Sequence, residues 1–275
     1  MKLKILLIPI LFKLRVLKFL NLVILINDIK IPFFGNAGYF HTLSNEKWLE
    51  NLYQYLFIRI ENLQSSTLID VGVNLGQSIL AAKKVNPDME IIGFEPNPFC
   101  CFYTNYLINI NNLRKVDIVP SALANGAGLM NLYSKDFNQF DPSGSIIHNY
   151  RENQSYKTLI NTVSEEILNS RQLNEVGVIK IDVEGAEVVV IDGLKKIISK
   201  YKPVIIMEVL PAYSNKNEMR VAGIENLNNF VRANDYKIFL IGPQNSFEEL
   251  EYFEIHSNPN NINYLLLPKE KANIF

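Results

Sequence analysis

The chain has 275 residues, with 27 Lys+Arg against 28 Asp+Glu and a net charge of −1. So even a balance supplies no basic face for a polyanion and argues against a protein that coats nucleic acid. At 48% hydrophobic and 20% charged residues the sequence is too apolar for disorder and long enough to bury a sizeable core. The two cysteines, adjacent at Cys100 and Cys101, have neither disulfide-framework nor zinc-ligand spacing, so no metal site is expected and a reducing, cytoplasmic setting is the simplest.

Met1–Leu25 is apolar with early lysines, like a secretory leader, but Lys13, Arg15 and Lys18 divide it, Pro9 interrupts the first piece, and no small-x-small site follows. Neither piece approaches the roughly 18–20 apolar residues that span a bilayer. It reads either as a basic amphipathic contact with the inner membrane surface or as a short helix and strand packed on the domain behind, the second being preferred. Leu22–Ile31 reads as a strand broken at Asn27-Asp28, Pro32 with Gly35, Asn36 and Gly38 marks a loop, and Asn45–Phe57 reads as a helix with an asparagine cap. Apolar runs and helical stretches then alternate: Thr67–Val71, Gln77–Val85, Ile91–Phe94, Pro98–Ile110 and Val116–Val119. The rhythm resumes with Val178–Val183, a helix from Gly185 to Ser199, Val204–Val209, a helix over Asn217–Ala233, Tyr236–Ile241 and Ile262–Leu267. Unbroken Val/Ile/Leu strands separated by helices indicate a doubly wound α/β fold with a largely parallel sheet. Residues 1–62 form an N-terminal helix and hairpin extension on this reading, and 63–275 the main domain. The stretch 125–174, rich in Gly, Asn and Ser, interrupts the rhythm as an inserted segment suited to substrate contacts or a lid.

Open α/β sheets bind ligands beyond the carboxyl ends of their strands, near the switch in strand order. After the first strand comes Asp70-Val71-Gly72-Val73-Asn74-Leu75-Gly76-Gln77, an acid and a glycine turn opening a helix, with G-x-x-x-G rather than dinucleotide spacing. The second strand ends in Glu95-Pro96-Asn97-Pro98, where a carboxylate can accept hydrogen bonds from a ribose diol. Ser121 and Ala122, after the third, are small enough to border a flat base. Lys180-Ile181-Asp182-Val183-Glu184-Gly185-Ala186-Glu187 sets a lysine and an aspartate on one side of an apolar strand, which costs desolvation unless they pair or act. Glu184 and Glu187 are read as sharing a face of the next helix's first turn.

These strings, D-V-G-x-N-x-G-Q at Asp70–Gln77, E-P-N-P at Glu95–Pro98, I-K-I-D-V-E-G-A-E at Ile179–Glu187 and P-x-x-x-x-E at Pro203–Glu208, resemble the FkbM family of S-adenosylmethionine-dependent methyltransferases. The likeness covers roughly 67–210, with the Gly35–Gly38 turn and Asn263–Pro268 also similar. One departure is Val163-Ser164-Glu165-Glu166, where the family often has Leu-Asp-Asp or Leu-Asp-Glu. The resemblance implies a class I methyltransferase (Rossmann-like) fold of seven strands, the last antiparallel, with S-adenosylmethionine as cofactor. It further implies that Asp70, Gly72, Asn74, Gly76 and Gln77 surround the methionine portion, Glu95 with Pro96 holds the ribose, Ser121 and Ala122 border the adenine, and Asp182 lies where the cofactor meets the acceptor.

Methyl transfer to oxygen needs an in-line acceptor and a base for the hydroxyl proton. Asp182, Glu184, Glu187 and Glu208 are candidate bases or acceptor grips; one of them is protonated, pairs with Lys180 or takes a divalent cation, though no spacing dictates a metal. His148, in the inserted segment, is a further candidate base with a solvent-exposed role preferred. His41, His256 and Trp48 read as structural. The implied acceptor is a hydroxyl of a sugar, a polysaccharide or a small natural product. A nicotinamide-dependent oxidoreductase or epimerase, and a non-catalytic nucleoside-binding module, are the alternatives; serine-elbow, zincin and P-loop signatures are absent.

Overall fold

The computed structural model describes residues 22–34, 37–38, 41, 47–135, 144–150, 154–170, 173 and 175–274. Residues 1–21, the loop at Gly35 and Asn36 and the cap at Asn45 lie outside the described residues. Leu22–Ile26 (β1) and Ile29–Phe33 (β2) are antiparallel partners. What reads in sequence as one broken strand is a hairpin. Asn27 and Asp28 take φ of 47° and 65°, a two-residue turn whose twist matches that of its strands. No helix among the described residues is long and apolar enough to cross a membrane.

Helix Lys47–Arg59 (α1) precedes the expected alternation of Thr67–Val71 (β3), Gln77–Val85 (α2), Glu90–Phe94 (β4), Pro98–Ile110 (α3) and Val116–Val119 (β5). Ala122–Leu123 (β6), Gly128–Ser134 (β7) and Tyr156–Val163 (β8) follow. The chain continues through Val176–Ile181 (β9), Glu187–Gly193 (α4), Lys195–Tyr201 (α5), Val204–Glu208 (β10), Glu218–Ala233 (α6), Tyr236–Ile241 (β11), Phe247–Leu250 (β12) and Asn263–Pro268 (β13). The described strands of the main sheet run β12-β11-β13-β10-β9-β3-β4-β5. Strands β5, β4, β3, β9 and β10 are parallel, and β13 is antiparallel to both β10 and β11. All seven expected strands are present with the last antiparallel; β12 adds an eighth at the edge, antiparallel to β11.

Because strand side chains alternate, successive residues feed opposite cores. Leu68, Val178 and Ile206 pack with Leu49, Leu52 and Leu56 of α1 and Ile79 of α2; Ile69, Ile179 and Ile205 pack on the other face with Val190 of α4, Ile198 of α5 and Leu227 of α6. The winding direction reverses between β3 and β9, and the crevice opens there.

Within the inserted segment 125–174, β7 and β8 pair antiparallel, and β6 joins β8, in a separate three-stranded sheet. One expectation needs correction. The helix from Gly185 to Ser199 is two helices meeting at Leu194, and the amides of Lys196 and Ile197 at the second start donate to the buried carboxylate of Glu165, at 3.1 and 2.9 Å. Thus the acid in the stretch that departs from the family pattern anchors α5. A charged acceptor at a helix N-terminus is worth about 1–2 kcal/mol. Glu165→Ala is therefore expected to lower the urea unfolding free energy by about that amount with an unchanged m-value, measured by circular dichroism.

Candidate active site

The crevice gathers the loops that follow β3, β4, β9 and β10. Register places Asp70 beside Lys180 on the neighbouring strand. The Lys180 ammonium lies 3.7 Å from Asp70 Oδ1 and donates to Asp182 Oδ2 at 3.2 Å, so one buried cation serves two carboxylates. Asp70 Oδ2 also accepts from the Ser78 hydroxyl at 2.5 Å. Asp70 has no exposed surface, and burial pushes its carboxyl above the usual range while Lys180 and Ser78 pull the other way. It lines neither cavity and stands behind the crevice wall, holding Ser78 and Lys180, which face the smaller one.

Gly72 has φ of 86°, and a Cβ there would overlap the carbonyl oxygen of Asp182. The missing side chain is what lets the loops after β3 and β9 touch. Gly76 begins α2 and faces Thr104 and Leu107 of α3. Glu95 ties the next pair of loops: Asn74 N–H donates to Oε2 at 2.7 Å and Asn97 N–H to Oε1 at 2.8 Å. Burial drives this carboxyl up to about 7, and the two amides only partly offset that. His41, read as structural, lies with Nε2 2.9 Å from the Leu75 carbonyl oxygen and stacks on Tyr103; burial lowers it to about 4.

Two cavities meet in this crevice. One, of about 220 Å³, is bounded by Glu95, Pro96, Asn97 and Cys100, by Phe94, Ala122, Leu123 and Val183, and by Leu132, Gly144 and Ile146 from the inserted segment. The other, of about 180 Å³, is bounded by Gln77, Ser78, Lys180, Asn263 and Trp48. Gly72, Asn74, Asp182 and Glu208 line both, and Glu184 lines the larger. Ser121 is buried at the strand end and lines neither. Glu184 is no part of the following helix: it takes φ of 53° in the turn ahead of α4 and shares no helical face with Glu187. Glu187 is turned inward, accepts the Gly185 N–H at 2.8 Å and is pushed up to about 7 by burial, so it secures the turn and lines neither cavity. His148 is exposed, packs on the Tyr133 ring at 4.6 Å between centroids and reaches neither cavity.

The residues fit an adenosyl sulfonium. An apolar chamber edged by a carboxylate suits a base and its ribose; a lysine, a hydroxyl and two amides suit an amino-acid end; and the acids at the junction suit a cationic centre. Trp48, read as structural, lines the smaller cavity, and Asn263, read only as the start of a stretch similar to the family, lines it too; Ser78, Leu123 and the chamber wall from Leu132 and Ile146 were not singled out in the sequence. Ser78 follows the glycine turn directly and was the one within reach; Trp48 and the wall depend on long-range folding.

A model of the methyltransferase FkbM domain matches residues 70–238. Solved structures similar to the chain include methyltransferase FkbM from Methylobacillus flagellatus KT, at 16% identity and TM-score 0.49 over 84% of this chain and 52% of that one. An O-methyltransferase from Bacillus cereus in complex with SAH matches at 12% and 0.48 over 82% and 83%, and a putative O-methyltransferase from Klebsiella pneumoniae at 11% and 0.45 over 79% and 80%. The chain spans about half the length of the Methylobacillus protein. No curated protein matches the sequence.

Were a cofactor ribose to donate its hydroxyls to Glu95, they would favour its ionised form, whereas burial pushes the carboxyl up to about 7. Cofactor binding should therefore release a proton and tighten as pH rises to about 7, by up to about tenfold per unit below that value, and then level off. Titration calorimetry from pH 5.5 to 8.5 should show this slope in the wild type and lose it in Glu95→Gln. Glu95→Ala should weaken S-adenosylmethionine by about tenfold or more at pH 8.

Proposed function

Because this chain belongs to the FkbM methyltransferase family, class I enzymes that draw the methyl group from S-adenosylmethionine, we propose that its acceptor is a hydroxyl of a sugar, a polysaccharide or a small natural product. The observation that carries this reading is the convergence of Asp182, Glu184 and Glu208 on the crevice edged by Glu95 and the glycine turn. S-adenosylmethionine, when bound, supplies an electrophilic methyl group on a sulfonium. The chain's own residues do the rest. Gln77, Ser78 and Lys180 grip the amino-acid end, Glu95 and Pro96 the ribose, and Ala122 with Leu123 and Val183 enclose the base. Among the acids, Asp182 has the strongest case as base for the acceptor hydroxyl: it sits where the cavities join, with 37% of its side chain exposed, and Lys180 steadies one of its oxygens. A sugar hydroxyl is a poor acid, so a carboxylate taking its proton as the bond forms, and holding it in line, is where the rate gain lies. Glu208 and Glu184 then grip neighbouring hydroxyls.

The acids at the junction also weigh against a nicotinamide dinucleotide, whose pyrophosphate they would repel. A peripheral contact of residues 1–25 with the inner membrane face is the less favoured alternative to their packing on the domain. In its support, Leu22, Val23 and Leu25 of β1 are 43, 48 and 42% exposed.

Calorimetry with S-adenosylmethionine and with NAD should show heat with the first alone; heat with NAD alone overturns the assignment. Comparing glycans and small products made with and without the chain should reveal species heavier by one methylene. Once an acceptor is in hand, Asp182→Asn should lower kcat by about a hundredfold or more while acceptor binding changes little. Unchanged kcat would remove Asp182 as the base.

A further inference from the structure

Arg220 lies in the first turn of α6, outside both cavities, yet its guanidinium meets two other segments, the loop after β10 and Tyr150. Nη1 donates to the Pro211 carbonyl at 2.6 Å and Nη2 to the Tyr150 carbonyl at 2.9 Å. Its central carbon stands 4.4 Å from the centroid of the Tyr150 ring and 5.3 Å from that of Tyr213. Pro211 follows β10, the strand that ends in Glu208. Tyr150 belongs to the stretch 144–150, whose Gly144 and Ile146 form part of the chamber wall.

The same stretch is fastened on its inner side. Ser145 exchanges backbone hydrogen bonds with Tyr133 of β7, at 2.8 and 3.0 Å, and its hydroxyl donates to the Glu184 carbonyl at 2.7 Å. Tyr150 is buried against Gly185, which has φ of 98° and no room for a Cβ because the ring fills that space. The turn that presents Glu184 is therefore roofed by Tyr150, and Tyr150 is held from outside by Arg220. A planar fork that donates in two directions while lying on an aromatic ring is a property of arginine that lysine lacks.

We propose that Arg220 is a positioning residue, clamping 144–150 as a cap on the larger cavity and fixing the turn of Glu184 from outside the site. Its importance for methyl transfer rests on the function proposed above; the clamp itself does not. Cys100, buried on the wall of the same cavity, is a built-in reporter, and Cys101, whose thiol donates to the Glu95 carbonyl, is the internal control.

The test measures modification of each cysteine by dithionitrobenzoate in the full chain, resolved by peptide mass analysis, for wild type, Arg220→Lys, Tyr150→Ala and the double variant. In Arg220→Lys the Cys100 rate should rise about fivefold or more with Cys101 unchanged. The double variant should add nothing to the larger single effect. Stopped-flow release of S-adenosylmethionine should quicken in parallel, with the unfolding midpoint little moved. An unchanged Cys100 rate in Arg220→Lys, a joint rise of both cysteines, or additive effects in the double variant would each overturn the clamp. If wild type binds no S-adenosylmethionine, the functional reading fails, while the cysteine rates still decide the clamp.

Discussion

The ammonium of Lys180, enclosed between Asp70 and Asp182, is the constraint on which the site depends. A buried carboxylate without a partner is among the costliest groups a fold can hold, and removing one member of such a pair typically costs about 3–5 kcal/mol. Here the pairing follows from strand register: β3 and β9 are neighbours, and Asp70 and Lys180 are opposed across them. Two residues further along β9's exit, Asp182 takes the remaining reach of the same ammonium. One charge thereby joins the innermost acid of the first strand to the acid at the mouth of the fourth, and Gly72 allows the two loops to come close enough for it.

Around this tie the acids divide their work by burial. Asp70, Glu95 and Glu187 are enclosed, each is pushed toward its neutral form by desolvation, and each holds backbone or side-chain donors that shape a loop. Glu95 still edges the larger cavity, while Asp182, Glu184 and Glu208, only half-buried, face the crevice more openly. In sequence all six are simply acids at or just past strand ends; what separates them is how much water each can see.

The fold was largely legible because its signals are local. Val/Ile/Leu runs and helical periodicity set β3 through β5 and β9 through β11 with ends accurate to a residue or two, and the glycine turn and Glu95 follow from strand-end logic. The parts that resisted are those whose structure is decided elsewhere in the chain. The hairpin β7 and β8 alternates only weakly, and its strands are joined across more than twenty residues, so its pairing has no short-range turn signal. The break at Leu194 depends on Glu165, about thirty residues earlier. Glu184 and Glu187 satisfy helical spacing, but the left-handed turn at Glu184 and Gly185 sets the helix start at Glu187 and leaves Glu184 outside it.

Trp48, the only tryptophan in the chain, forms part of the wall of the smaller cavity, and its carbonyl is held by the side chain of Asn245. Excited at wavelengths beyond the absorption of the 13 tyrosines, an indole in that position gives an emission with a single source. Whatever enters beside Gln77 and Asn263 changes the polarity around one fluorophore and no other, so occupancy of this chamber can be followed optically in the unlabelled chain.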